Sequence, residues 1–509
     1  MSKSSHVGTL ILLLFTAAVP IAAQSGATIP HQLTLAQALE LARHNSPTYL
    51  QAQAAADPAA EAVKAANWAL LPTVGVGGGL SYTGAGSSTF GGTTFNQTSP
   101  SVSSTYNVGA NWQLNTRNFL NPSIQRATER ATEENIAAAD VTLVSDVTSQ
   151  YLNTLRAAAV VGVAQGQVTR DTMFLTLARV RQQVGQASLI DVRQAQTALA
   201  TAQVQLLQAQ QAAAQAKIEL VRRIGLPIGP GIDSLQLSEP FPLVEPNFDA
   251  RSLIATAREQ NPGIRALVAQ QHADQISVRA ARLDRLPTVS ISGGWSAYTQ
   301  QFTNENVLLN NALRGAQATE ANCEFQNAII MGLTTPIPGG VIPDCKAYAN
   351  LDPTGTALDP TYAQGIRDRN NVFPFSFTRQ PVSMSMSISL PIWDSYSRSL
   401  RISQAAATAD QARENVRAQQ LAVDAQVQSQ LVVARTAWMR TQIQDSNRVA
   451  ARDELDQAQT RYRAGQGTSL EVADAQNAVT QAEADYVTAV YDYHLAIVAL
   501  EAAVGRPLR

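Results

Sequence analysis

The chain is written twice. Leu33–Tyr82, reading LTLAQALELARHNSPTYL and later LLPTVGVGGGLSY, resembles Asp249–Tyr298, reading DARSLIATAREQNPGIRAL and later RLPTVSISGGWSAY. Arg181–Pro227 (RQQVGQASLIDVRQAQ, then RRIGLP) likewise resembles Arg461–Pro507 (RYRAGQGTSLEVADAQ, then AAVGRP). Self-similarity on this scale restricts the fold to two copies of one plan. The repeats are residues 24–226 and 250–509. The segment 227–249, with Pro230, Pro240, Pro242 and Pro246, is the equatorial linker between them.

Each repeat carries two segments of strict period-two alternation. In the first, Val74, Val76, Leu80 and Tyr82 share one parity against Thr73, Gly75, Gly77, Gly79 and Ser81. Tyr106, Val108, Ala110, Trp112 and Leu114 then alternate with small polar residues. The second repeat gives Val289, Ile291 and Trp295, then Val382, Met384, Met386, Ile388 and Leu390 against Ser383, Ser385, Ser387 and Ser389. This parity predicts strands of about ten residues with one apolar face, long enough to cross an outer membrane at a tilt. Trp112, Trp295, Phe373, Phe375, Phe377 and Trp393 flank them as an aromatic belt would.

Lys3 and His6, the apolar run Thr9–Val19 and then Pro20-Ile21-Ala22-Ala23 read as a signal peptide over residues 1–23. That run is shorter than the about 20 apolar residues of a spanning helix, and no later stretch is expected to reach that length. A membrane location then requires a β-barrel. Four strands cannot close one, because natural membrane barrels begin near eight and an open edge in lipid leaves backbone groups unsatisfied. The expected assembly is an oligomer whose copies share one barrel.

The rest of the chain predicts long helices over Pro122–Val184 and Ser395–Ala464, each of roughly 60–70 residues or about 90–105 Å. Helices of this length suggest coiled coils, and the closing segment has the heptads to match. Val472, Val479, Tyr486, Tyr493 and Leu500 recur every seven residues, as do Ala475, Ala482, Ala489, Ala496 and Ala503. Val192, Leu199, Leu206, Ala213 and Leu220, with Ala195, Ala202, Ala209 and Ala216, repeat the pattern in the first half. Between long helix and heptads lie the turns Val184-Gly185-Gln186-Ala187-Ser188 and Ala464-Gly465-Gln466-Gly467-Thr468, which predict helical hairpins with tight tips. Ser188-x-x-Asp191 and Thr468-x-x-Glu471 have capping-box spacing, the second being the better match.

Only 15% of the 509 residues are charged, against roughly a quarter in soluble domains. Gln, Ser, Thr, Asn and Ala take the places that charge would occupy. A net charge of −2 without a clustered basic face argues against a nucleic-acid partner. His31, His44, His272 and His494 lie far apart, with no Cys, Asp or Glu at metal-ligand spacing. Gly75–Gly79 is followed by no Lys-Ser or Lys-Thr pair and fits a strand of small residues. Met384 and Met386 share the lipid-facing parity. No catalytic residue, cofactor or metal site is expected. An exported adhesive or structural coiled coil would account for the heptads but not for paired strands in each half.

The duplicated plan, the LPTV strand entries at Leu71 and Leu286, the LPIWD strand exit at Leu390–Asp394 and the two R-x-x-x-G tips resemble TolC-type outer-membrane efflux proteins. The resemblance implies an α+β membrane protein. It implies a homotrimer whose strands form a twelve-stranded β-barrel in the outer membrane of a Gram-negative bacterium, continued by a twelve-helix periplasmic α-barrel. It also implies a passive gated conduit serving a periplasmic adaptor and an inner-membrane transporter of RND, ABC or MFS type, and carrying drugs, toxic compounds or metal ions. The outer-membrane component of type I protein secretion is the alternative within the same family.

Residue by residue, the resemblance places Glu471 and Asp474 at a periplasmic constriction, where three copies would stack as acidic rings. It places Tyr462 and Asp191 in a gate network, and Gly185, Ser188, Gly465 and Thr468 at tips that dock the adaptor. Some family members carry a basic residue where Gly467 stands, so a lock between subunits would fall to Arg463, Arg181 or Arg193. The first strand exit, Leu114–Asn118, lacks the Pro and aromatic of its counterpart. Cys323 and Cys345 fall in the Pro/Gly/Asn-rich insertion 301–371, expected as a long external loop partly covering the mouth, with Thr83–Ser104 as its counterpart. An exported chain favours a disulfide there, two free thiols or a redox site being the alternative.

Overall fold

The computed structural model describes residues 31–508 apart from 98, 230, 231, 233, 234, 239, 240 and 336. The signal peptide read over residues 1–23 and the linker prolines Pro230 and Pro240 lie outside the described residues. In the first repeat β1 (Gln32–Leu33) leads to α1 (Leu35–Asn45), α2 (Pro47–Gln53) and α3 (Ala56–Trp68). Then come β2 (Thr73–Thr83), the hairpin of β3 (Gly86–Phe90) and β4 (Thr93–Gln97), β5 (Ser101–Leu114), α4 (Thr116–Gln183) and α5 (Leu189–Ile224). After β6 (Gln236–Leu237) the plan recurs with α6 (Ala250–Gln260), α7 (Pro262–Leu283) and β7 (Thr288–Phe302). It continues through α8 (Glu305–Met331), α9 (Cys345–Tyr348), α10 (Pro360–Asn370), β8 (Thr378–Arg379), β9 (Ser383–Ser389), α11 (Ser397–Arg463) and α12 (Ser469–Val504). Two compact units result. One contains Ala62–Ile124 and Ile276–Ala406, the other the remainder, and each draws on both repeats.

The first unit is built on an antiparallel sheet of order β2-β5-β7-β9, with β8 beside the far end of β7. Its registers bring every predicted apolar parity to one face. Val76 lies opposite Val108, Val108 opposite Trp295, Trp112 opposite Ile291, and Ile291 opposite Met386. The other face is small and polar, with hydroxyl contacts between Ser81 and Ser103 and between Ser292 and Ser385, both 2.7 Å. Val76 and Met384 are almost four-fifths exposed, a burial pattern that suits lipid rather than water. Tyr106 meets Trp295 and Phe377 edge-on at 5.1 and 4.5 Å between ring centres. Among the described residues β2 and β9 are each paired along one side only, so the sheet ends in two open edges.

Three boundaries differ from the sequence reading. The long helix expected from Pro122 begins six residues earlier, at Thr116, because the Asn115 side chain accepts the Asn118 N–H at 2.8 Å and caps the first turn. Strand β9 is shorter than its apolar run and omits Val382 and Leu390. The Thr83–Ser104 stretch, expected as a loop, contains the β3–β4 hairpin. Gly91 and Gly92 both take positive φ there, as a two-residue turn matched to strand twist requires.

The insertion 301–371 is not a loop. The 27-residue α8 occupies its first half, started by the Asn304 side chain, which accepts from Asn306 N. The Pro and most of the Gly that suggested irregular chain lie after Met331, whereas most of the Asn lies on or beside α8, and averaging over the insertion hid the helix. Cys323 and Cys345 are joined by a disulfide, and buried Asn327 pins the intervening strap by exchanging two bonds with Ile342 (2.8 and 2.9 Å). A disulfide closing a loop of this length typically contributes about 2–4 kcal/mol. Cys323→Ser with Cys345→Ser is therefore expected to make Lys346 a trypsin site in limited proteolysis of the folded protein, at doses that leave the wild type intact.

In the second unit the duplication extends to individual contacts. Arg43 of α1 pairs with Asp140 of α4 at 2.7 Å, and Arg258 of α6 pairs with Asp424 of α11. Gly225 and Gly505 end α5 and α12 in left-handed conformation at φ 87° and 88°. Each packs on the junction between the two short helices of its own repeat. A Cβ on Gly225 would stand 2.3 Å from the Asn45 carbonyl oxygen. Left-handed strain and overpacking together predict that Gly225→Ala costs roughly 2–4 kcal/mol, read as a lowered midpoint of thermal unfolding. The α12 heptads form much of the core, with Val472, Val479, Tyr493 and Leu500 buried. Contrary to the expectation that no later stretch is apolar enough, α12 meets that test by length and composition, but half of the stretch is buried inside the protein. Its Ala-rich seams serve helix packing.

Candidate functional site

The residues singled out by the tip motifs converge in the helical unit at the two hairpin tips. At the first, Gly185 (φ 79°) reverses the chain and Ser188 caps α5. The Ser188 hydroxyl accepts the Asp191 N–H at 3.2 Å, and Asp191 Oδ2 accepts the Ser188 N–H at 2.7 Å, completing a capping box. At the second, Gly465 (φ 77°) turns the chain and the Thr468 hydroxyl accepts the Glu471 N–H at 3.2 Å. The box is only half made there. Glu471, the longer acid, reaches Arg461 at 2.9 Å instead of returning to the cap. The better sequence match thus gives the less complete cap, because an Arg one turn before the glycine competes for the carboxylate.

Asp191 does more than cap. Its Oδ1 accepts the hydroxyl proton of Ser469, which opens α12, so the acid of one tip is bonded to the other. Arg181, the last basic residue of α4, donates to the Tyr462 carbonyl and lays its guanidinium 4.4 Å from the Tyr462 ring centre. Tyr462 is buried, and its ring also meets Phe174 at 5.4 Å between centres in a tilted arrangement. Of the three arginines weighed as substitutes at the Gly467 position, Arg181 is the one that bridges the tips. Arg193 turns to Gln196 and Arg463 to Gln459. Ser469 and Phe174 were not legible as site residues, since their importance comes from neighbours hundreds of positions away in the chain. Asp474 is exposed.

Electrostatics follow from this geometry. The Ser469 hydroxyl, the Ser188 N–H and hydroxyl, and the Arg181 charge hold Asp191 below the ordinary carboxylate range, outweighing its burial. Burial raises the Tyr462 phenol, so it stays protonated throughout the physiological range. A depressed carboxylate contributes stability above its unfolded pKa of about 4 and loses it as pH falls through the lower folded value. The difference in thermal stability between wild type and Asp191→Asn is expected to be constant from neutral pH down to about 5. It should shrink only in stronger acid.

Among the described residues no group of three or more His, Cys, Asp or Glu is placed to hold a metal. The tips offer charge, hydrogen bonds and a stacked aromatic that join the two hairpins. A family model described as outer membrane efflux protein matches residues 38–226 and 361–506. Among solved structures, the CmeC outer membrane channel of Campylobacter jejuni is 14% identical at a TM-score of 0.66, covering 92% of this chain and 85% of its own. VceC from Vibrio cholerae is 16% identical at 0.65, over 93% and 97%. The open state of the Neisseria gonorrhoeae MtrE outer membrane channel is 17% identical at 0.63, over 93% and 89%.

Proposed function

The chain belongs to the outer membrane efflux protein family, and from that membership we propose that it is the passive, gated outer-membrane duct of a tripartite efflux pump. The family places it in the outer membrane as a channel that works as a trimer with a periplasmic adaptor and an inner-membrane transporter. Three copies close a twelve-stranded barrel through the open edges of β2 and β9, and their long helices form a twelve-helix periplasmic tunnel. The observation that carries this reading is the sheet itself. One face carries the apolar residues Val74, Val76, Val108, Trp112, Ile291, Met384 and Met386, the other is mostly small and polar, and its two edges are left for further copies to pair.

The protein supplies no chemistry. Its adaptor docks on the tips around Gly185, Ser188, Gly465 and Thr468. Asp191 and Tyr462 belong to the network that holds the tips together, and Glu471 and Asp474 project acidic rings into the aperture. RND, ABC and MFS transporters are the inner-membrane classes such a duct serves, and small toxic compounds or metal ions are its cargo. Protein extracted from outer membranes in detergent should run as a trimer and conduct ions in planar bilayers. A detergent-free soluble monomer without conductance would instead mark an exported coiled-coil protein.

A further inference from the structure

Helices α8 and α9 fall between the two stretches matched by the family, 38–226 and 361–506, so they belong to this chain rather than to the shared pattern. Helix α8 starts at Glu305, just after β7 ends at Phe302, at the end of the strand opposite its entry from α7. Buried Asn370, closing α10, returns the chain to the same place. Its Oδ1 accepts the Phe302 N–H and its Nδ2 donates to the Phe302 carbonyl, both at 2.9 Å. Arg367 faces Glu305 across the base at 3.6 Å, and Gln301 Oε1 accepts the Phe373 N–H at 3.0 Å. The insert is thereby tied at both its ends to the rim of the sheet.

Its far end differs in character from its base. From Phe325 to Pro343 the chain carries no Asp, Glu, Lys or Arg. The Cys323–Cys345 disulfide and the Asn327 bonds to Ile342 hold the returning strap against α8. The strap turns at Gly339 (φ 75°), where the Gly340 N–H donates to the Ile337 carbonyl at 3.1 Å. Phe325, Ile329 and Met331 of α8 and Leu333, Ile337 and Val341 of the strap are all exposed, Met331 by 68%. An apolar surface that the fold holds in place and leaves in water marks a contact.

Charge decides what covers it. Helices that lie on a membrane carry Lys and Arg along their polar face, whereas α8 has one cation, Arg314, against Glu305, Glu320 and Glu324. An anionic lipid surface therefore repels it. A residue on a rotation axis meets its own copy, so a contact around a threefold axis excludes charge of either sign. Resting on the reading of the chain as a trimeric conduit, we propose that the neutral, apolar ends of three inserts meet on the threefold axis and cap the outer mouth of the duct. The reach suffices: the 27 residues of α8 span about 40 Å, and twelve strands enclose a mouth of roughly 12 Å radius. A helix rising obliquely from the rim brings its far end to the axis. The cap shuts the mouth to large solutes from the medium, whatever the state of the hairpin tips. Apolar contact without directional bonds lets it part for outgoing cargo and close again.

Single introduced thiols test this, because the native cysteines are joined to each other. Trimers of Ile337→Cys treated with a short bis-maleimide should give covalent dimers but no covalent trimers on a denaturing gel, since one thiol per copy joins two of the three. Asn310→Cys, on the polar part of α8, should give none. In intact cells Ser385→Cys, on the small polar face of β9, should be protected from an impermeant maleimide just too large for general porins. Adding Ile337→Glu, an exposed position where charge would meet its own copies, should abolish that protection. Conducting trimers in which Ile337→Cys yields no dimers, or in which Ser385→Cys is labelled equally with and without Ile337→Glu, would overturn the cap and leave the conduit intact. Quenching of a Phe325→Trp emission by brominated lipid would overturn it too, placing the apolar end in the membrane. A wild-type protein that neither trimerises nor conducts would overturn the conduit reading beneath it.

Discussion

Replacing Tyr462 with alanine is expected to raise resting conductance in single-channel recordings by roughly two orders of magnitude in open probability, while Tyr462→Phe changes it little. The ring fills a buried site between Phe174 and the Arg181 guanidinium. Deleting a large buried side chain costs about 3–5 kcal/mol. If the loss falls on the arrangement in which the tips are held together, about 3 kcal/mol shifts a two-state population by roughly a hundredfold. The phenol oxygen makes no hydrogen bond among the described residues, and Arg181 bonds to the main-chain carbonyl, which phenylalanine keeps. A Tyr462→Phe channel as leaky as Tyr462→Ala would show that the hydroxyl, not the stacked ring, holds the tips.

The second large effect concerns selectivity. Glu471→Gln with Asp474→Asn should bring the cation-to-anion permeability ratio of the trimer from several-fold towards one, with trimer stability little changed. On the proposed placement, two carboxylates per chain become six at a threefold aperture, and each would act on a passing ion with about 1 kcal/mol at about 4 Å even in bulk water. Glu471 is partly neutralised by Arg461, so Asp474→Asn alone should account for most of the change. Because Thr468 caps α12 through its own hydroxyl, the paired substitution removes charge without removing that cap. Selectivity unchanged at low salt would remove both residues from the aperture.

The strands and their faces were legible because alternation is local, and the registers add only which apolar parity meets which. The hairpin tips were legible for the same reason, since glycine and a hydroxyl residue at fixed spacing dictate a turn and a cap. Less was readable where a residue's role depends on a distant helix. Ser469 looks like any first-turn serine until Asp191 arrives beside it, and Arg181 and Arg461 occupy equivalent positions yet serve different partners. Composition misled once, hiding α8 behind the glycines and prolines that follow it. The apolarity of α12 exceeds what the sequence reading expected, while the packing role read from its heptads is the one the buried residues take.

The two open edges of the sheet also bear on inheritance. A closed ring of three has no tolerance for a copy whose β2 or β9 cannot pair, since one faulty edge leaves two neighbours unsealed. If a defective allele is expressed equally with the wild type and the copies mix at random, roughly one ring in eight is fully wild type. Lesions at the edges should therefore behave as dominant, whereas lesions that unfold the chain before it meets its partners should be recessive.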